Sequence, residues 1–219
     1  MDSNIVPYKY NRNLQVVEGE TVYHLTPEEL DRLTLAFDNY YYEDINVPSK
    51  RKVRAGQRGR YRMVFLFMRW TGARISEILS IDEKRDLDLR NAEVTLLTLK
   101  RHSRKKKRMK RVVPIPEKLV SEYLMFVNTH PNLAGKVFKV NRSNFFRVFK
   151  LLAKKAGISE EIAHPHVLRH TRAIELLRSG VPVTIVQSLL GHASLSTTAI
   201  YLRYSATETK QILKDRGVI

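Results

Sequence analysis

A mainly α fold with one small antiparallel β-sheet (α+β) follows from three features of the sequence. Apolar residues recur at helical spacing through most of the chain. Glycines fall where those helical stretches stop. A single region breaks the pattern: residues 93–99 (EVTLLTL) and 111–115 (RVVPI) are rich in β-formers, with a polybasic run between them.

Residues 1–23 lack periodicity and read as an extended arm, which leaves 24–219 as one domain. Thr26 then offers an N-cap, Pro27 a first helical position, and Glu28 and Glu29 first-turn acids. Leu30, Leu33 and Phe37 follow at helical spacing, and this helix should end at 40–43. After a basic stretch over 50–62 comes a strongly apolar helix over 61–70. Thr71 and Gly72 break it, and a second helix presents Ile75, Ile78 and Leu79 on one face. The two extended segments predict a hairpin with the polybasic run at its tip. Helices are expected over 116–129, 142–156, 165–179, 182–190, 195–204 and 205–216, with a short apolar piece at 136–140. Gly157, Gly180, Gly191 and Gly217 suit the C-caps.

With 43% hydrophobic residues the chain can bury its own core. It has no cysteine, which excludes disulfides, thiolate nucleophiles and cysteine-based metal sites. The longest apolar run, residues 63–68, is far short of the ~18 a membrane span needs, and the first residues carry no signal-peptide pattern. The expected location is the cytoplasm. A net charge of +17 calls for a polyanionic partner, and DNA would place the protein with the nucleoid. Residues 50–62 hold seven basic residues and no acid, and residues 100–111 hold nine and no acid, so the remainder is nearly neutral in sum. Lys50, Arg51, Lys52, Arg54, Arg58 and Arg60 in the first run, and Arg104, Lys105, Lys106, Lys107 and Arg108 in the second, are the candidate DNA contacts. A solvated loop is the competing reading, but so many cations without an acid repel one another unless a polyanion is near.

Four of the seven histidines fall between residues 164 and 204. On the helix beginning near Pro165, Val167, Thr171 and Ile174 form a buried stripe, while His166, Arg169, His170 and Ala173 line a different face. His166 and Arg169 share the first turn, where free backbone N–H groups favour an anion. His166 and His170, four apart, could both reach one metal ion, but no HExxH, cysteine or nearby carboxylate completes a ligand set. No metal and no cofactor are therefore expected. Phosphoryl transfer without a metal needs cations on the non-bridging oxygens, which two arginines supply through forked hydrogen bonds. An oxygen nucleophile and an acid for the leaving oxygen complete the set. The chain holds each type, and it has no GxxxxGK[ST] phosphate loop.

Residues 71–79 (TGARISEIL), 166–171 (HVLRHT) and 190–201 (LGHASLSTTAIY) resemble, in that order, the three catalytic boxes of the tyrosine recombinase, or phage integrase, family. The resemblance runs from about residue 25 to the C-terminus and implies the tyrosine recombinase catalytic-domain fold. By the same resemblance, Arg74 and Arg169 clamp the scissile phosphate with His166 and His192, and Tyr201 attacks it. Lys100 best matches the hairpin general acid, with Lys105, Lys106 and Lys107 as alternatives. Glu77, and His170 beside the clamp, support the cluster. Tyr204 lies one turn beyond Tyr201 and competes with it; the nine-residue spacing from His192 favours Tyr201.

The implied activity is site-specific recombination of double-stranded DNA: integration, excision, inversion or resolution through a 3′-phosphotyrosine. Four protomers would act on two sites through a Holliday junction, with the C-terminal helix exchanged between them. Family members usually carry a preceding DNA-clamping domain, so the sequence reads as a minimal single-domain member or a fragment, with residues 50–62 supplying part of the missing grip. A type IB topoisomerase-like relaxase and a catalytically silent DNA-binding protein of the same fold are the alternatives.

Overall fold

In a computed structural model, residues 16–17, 20–21, 23–43, 50–99, 108–191, 214 and 217 are described. Two short strands, β1 (Val16–Val17) and β2 (Glu20–Thr21), pair antiparallel within the region read from sequence as an arm. Helix α1 (Pro27–Tyr42) starts on a capping box: Thr26 Oγ1 accepts from the Glu29 amide at 3.2 Å, and Glu29 Oε2 accepts from the Thr26 amide at 3.0 Å. Its apolar stripe, Leu30, Leu33, Phe37 and Tyr41, is buried.

Helix α2 runs from Lys50 to Thr71, so the basic stretch and the apolar helix expected after it are one element. The physical reason lies in small residues. A Cβ on Gly56 would meet Leu133 at 2.9 Å, and one on Gly59 would meet Phe126 at 2.4 Å and Tyr41 at 2.7 Å. The packing face of this half is thus made by residues with nothing to count as apolar. Arg62 is buried and joins Asp38 on α1 (2.5 Å) to Glu122 (2.8 Å). Further along α2, Phe65 stacks on Phe37 with ring centroids 4.1 Å apart.

The second helix expected after Gly72 is only one turn, α3 (Ile75–Ile78). Asp82 then caps a new turn, α4 (Glu83–Asp86), by accepting from the amides of Lys84 and Arg85. Three strands follow: β3 (Leu87–Asp88), β4 (Glu93–Leu99) and β5 (Arg108–Pro114) form an antiparallel sheet in that order. The β4–β5 hairpin is the predicted one, with Glu93 opposite Pro114 and Leu99 opposite Arg108. β3 carries too few residues to show a period of two, so the sequence does not announce it.

The rest is helical: α5 (Glu117–Thr129), a 3₁₀ turn (Pro131–Leu133), α6 (Arg142–Lys155), α7 (Val167–Arg178) and α8 (Val183–Leu190). The apolar piece at 136–140 is a turn that buries Val137 and Phe138. Glu83 holds it by accepting from the amides of Gly135 (2.8 Å) and Val137 (2.6 Å). One large core joins α1, α2, α5, α6 and the sheet, and a smaller cluster of Ala173, Ile174, Leu177, Val186 and Leu190 packs α7 on α8. The helices expected over 195–204 and 205–216 lie outside the described residues, apart from residue 214. Among the described residues no helix is long and apolar enough to cross a membrane.

Candidate active site

Helix α7 is pinned from the side: the Leu25 amide donates to Thr171 Oγ1 at 3.0 Å, and that hydroxyl donates to the Val167 carbonyl at 2.9 Å. The two-faced reading of this helix needs correction, because Leu168, Arg169 and Ala173 are buried along with Val167, Thr171 and Ile174. Packing surrounds α7 from both the large core and α8. Arg169 is only 2% exposed, which requires partners for its charge. Its Nη1 donates to the Gly72 carbonyl at 2.9 Å.

That carbonyl belongs to the turn that launches Arg74. Gly72 has φ +64°, and a Cβ there would meet Leu190 Cδ2 at 2.5 Å, so only glycine lets the turn lie this close to α8. Arg74 occupies the N-cap of α3 with its side chain 40% exposed, and its Nη1 is 3.5 Å from Glu77 Oε1. Arg169 therefore supports the backbone that presents Arg74.

His166 sits at the N-cap of α7, and its ring is perpendicular to that of His170 with centroids 4.9 Å apart. Although the His166 ring touches solvent, desolvation first, then the positive groups Arg169, His164 and Arg74, push its pKa down to about 4. Desolvation and the neighbouring His166 and Arg169 take His170 down to about 3. Both rings are neutral near pH 7. The charge facing a bound phosphate would then come from the arginines, with His166 as a neutral hydrogen-bonding partner.

Glu77 is 4% exposed. Burial alone would raise its pKa, but the hydrogen bonds and charge of Arg111, with the Arg74 amide and the Thr98 hydroxyl, hold it at about 2. Arg74 N donates to Oε2 at 2.8 Å and Thr98 Oγ1 to Oε1 at 2.8 Å; Arg111 Nη1 and Nη2 reach the two oxygens at 2.9 Å each. This guanidinium is the residue the sequence reading missed, because it was counted only as the end of the polybasic run. The available signal was period-two alternation: Arg111 shares a strand face with Val113, which is buried.

The structure brings together Arg74, Glu77, His166, Arg169 and His170. It places Lys50, Arg51, Lys52 and Arg54 in the first turns of α2, and Arg108 at the start of β5. Arg58 is half-buried, lies over the Tyr40 ring at 4.3 Å and donates to the Tyr40 carbonyl at 3.1 Å. Arg60 differs from its expected place on a DNA-facing surface: it is buried and donates to the Val137 carbonyl at 3.3 Å. Lys100, Arg104, Lys105, Lys106, Lys107, His192, Tyr201 and Tyr204 lie outside the described residues. Among the described residues no three His, Asp or Glu side chains are grouped so as to hold a metal ion.

The model of the phage integrase family matches residues 25–208. The tyrosine recombinase XerA of Pyrococcus furiosus is 31% identical over 204 residues, covering 89% of this chain and 62% of that protein. A tyrosine recombinase of Thermosipho africanus is 33% identical over 71% of this chain and 53% of its own length. The chain thus spans roughly half to three fifths of these curated relatives. Among solved structures, XerA recombinase superposes with a TM-score of 0.65 at 24% identity, over 92% of this chain and 65% of that one. The XerH site-specific recombinase bound to its difH substrate, in a pre-cleavage complex, superposes with a TM-score of 0.60 at 25% identity, over 86% and 53%. A mainly helical domain with a three-stranded sheet, its paired arginines joined through the Gly72 turn, and a family match over most of its length make this chain a member of the phage integrase family of tyrosine recombinases.

Proposed function

We propose that this chain is the catalytic part of a site-specific DNA recombinase, with residues 24–219 as the catalytic domain and 1–23 as an arm. The observation that carries the reading is the buried Arg169 side chain holding the turn that presents Arg74, with His166 alongside. Such an arrangement concentrates positive charge, and the nearby carboxylate, Glu77, 3.5 Å from Arg74 Nη1, has both oxygens engaged by Arg111. A phosphodiester would be drawn to these cations.

In the proposed reaction the Tyr201 hydroxyl releases its proton to water as its oxygen attacks the scissile phosphorus and forms the phosphotyrosine bond, while the bond to the 5′ oxygen breaks. A hairpin lysine, Lys100 in our reading, gives its proton to that leaving oxygen. Arg74, Arg169, His166 and His192 bind the non-bridging oxygens as their charge rises. A 5′ hydroxyl of another strand then attacks the phosphotyrosine and regenerates Tyr201. One phosphodiester is exchanged for another, so the chemistry calls for no ATP. The partner is double-stranded DNA, and the XerH site-specific recombinase, solved with its difH substrate bound, supports a reading in which this fold engages a recombination substrate. The assembly is a homotetramer on two sites that exchanges its C-terminal helices, in the cytoplasm with the nucleoid.

The test is a duplex nicked so that a short 5′ fragment is lost after cleavage, incubated with protein in EDTA and run on a denaturing gel. A covalent adduct is expected for the wild type and for Tyr204→Phe, and none for Tyr201→Phe. Tight binding by the wild type with no adduct would make the chain a silent DNA-binding protein.

A further inference from the structure

The hydrogen bonds of Arg111 cross three parts of the fold. From β5, its Nε donates to the Leu189 carbonyl on α8 at 2.8 Å. Its two Nη atoms take both oxygens of Glu77 on α3, and Nη1 also bonds Thr98 Oγ1 on β4. Thr98 is two residues before Lys100, where the chain enters the hairpin tip. Gly191 closes α8 with φ +69°, and a Cβ there would meet Arg111 Nη1 at 2.8 Å and Thr98 Oγ1 at 3.1 Å. The chain thus leaves α8 directly against this guanidinium, one residue before His192.

We infer that Arg111 is a positioning residue that locks the base of the β4–β5 hairpin to Glu77 and to the end of α8, so that the hairpin's general acid meets the leaving oxygen held by the Arg74 side of the site. The inference rests on the recombinase reading and adds a residue to it. Only a planar fork serves all these acceptors at once. A lysine at 111 would keep the charge but present its donors from a single atom, and could not span Leu189 and both carboxylate oxygens. The pair Glu77–Arg111 is also shielded from solvent, the two side chains being 4% and 10% exposed, so its geometry is well fixed.

The consequence is specific to one chemical step. A sulfur in place of the bridging 5′ oxygen makes a leaving group that needs no proton, so it bypasses a misplaced acid without bypassing a damaged phosphate clamp. Single-turnover adduct formation is measured for the wild type, Arg111→Lys and Thr98→Val on matched oxygen-bridged and sulfur-bridged duplexes, with thermal unfolding of each protein as the folding check. Arg111→Lys is expected to react roughly 100-fold more slowly on the oxygen-bridged duplex and to recover most of that loss on the sulfur-bridged one. Thr98→Val removes only the link to β4, leaving the Arg111 bonds to Glu77 and Leu189, and should show a smaller loss, roughly 10-fold, with the same recovery.

Wild-type rates for Arg111→Lys, or an equal loss on both duplexes, overturn the inference. If Arg111→Lys does not fold, Thr98→Val decides by the same criteria. Adduct missing for the wild type on both duplexes overturns the recombinase reading itself, a result distinct from a wild-type adduct with indifferent variants.

Discussion

Two imidazoles held near a pair of guanidiniums titrate together with the fold. His166 and His170 have folded pKa values of about 4 and about 3, below the ordinary histidine value of 6.5, so the unfolded chain takes up protons first. The stability tied to their neutrality is complete above about pH 6.5 and drains away as pH falls through about 4 for His166 and about 3 for His170. Ring signals of the DNA-free protein followed by NMR should show His166 protonating close to pH 4. A midpoint above 6 would mean that the ring is neither desolvated nor crowded by its cationic neighbours as described. A bound phosphate should move that midpoint upward, because an anion offsets the neighbouring cations. Residue types and spacing made His166 and Arg169 visible in the sequence. The burial of Arg169 was not visible, since its side chain reaches the Gly72 turn, 97 residues earlier in the chain.

At the scale of elements, α2 shows two opposing terms at Gly59. Replacing a mid-helix glycine by alanine favours the helix by about 1 kcal/mol. Here the new methyl would lie 2.4 Å from Phe126 and 2.7 Å from Tyr41, in a core that repacks at a cost of about 1–3 kcal/mol. Both neighbours are buried rings, so the collision should win, and Gly59→Ala should lower the urea midpoint without changing the slope. A raised midpoint would show that α1 and α5 can draw back from α2. Helix α1, the hairpin and helices α5 to α8 were legible because caps and apolar periods mark them. The first half of α2 was not: its packing face is Ala55, Gly56 and Gly59, and its cations masked the helix as a loop. The stop after α3 was hidden for a similar reason, since Asp82 restarts the chain with a cap that the apolar count ignores.

For the whole molecule, the charge is spread more widely than its runs suggest. Residues 136–155 contain seven lysines and arginines and no acid, and all seven side chains are exposed. The count of runs missed them because apolar residues of α6 separate them at helical spacing, and acids elsewhere cancel them in the sum. DNA affinity measured from 50 to 200 mM salt should fall by roughly a thousandfold or more, as for about six or more neutralised phosphates. Arg104→Gln should reduce the log–log slope by about one, while Arg60→Gln, buried under the 136–140 turn, should leave the slope alone and lower thermal stability. A slope that responds to Arg60 would place that guanidinium at the DNA.

The bond from the Leu25 amide to Thr171 has a mechanical meaning. It attaches the start of α1 to the helix bearing His166 and Arg169, within a turn of Arg169 and about a turn and a half from His166. Tension applied at the amino end, whether by a fused module or a surface tether, would therefore be felt first at the end of α7 that carries Arg169, before the aromatic interior yields.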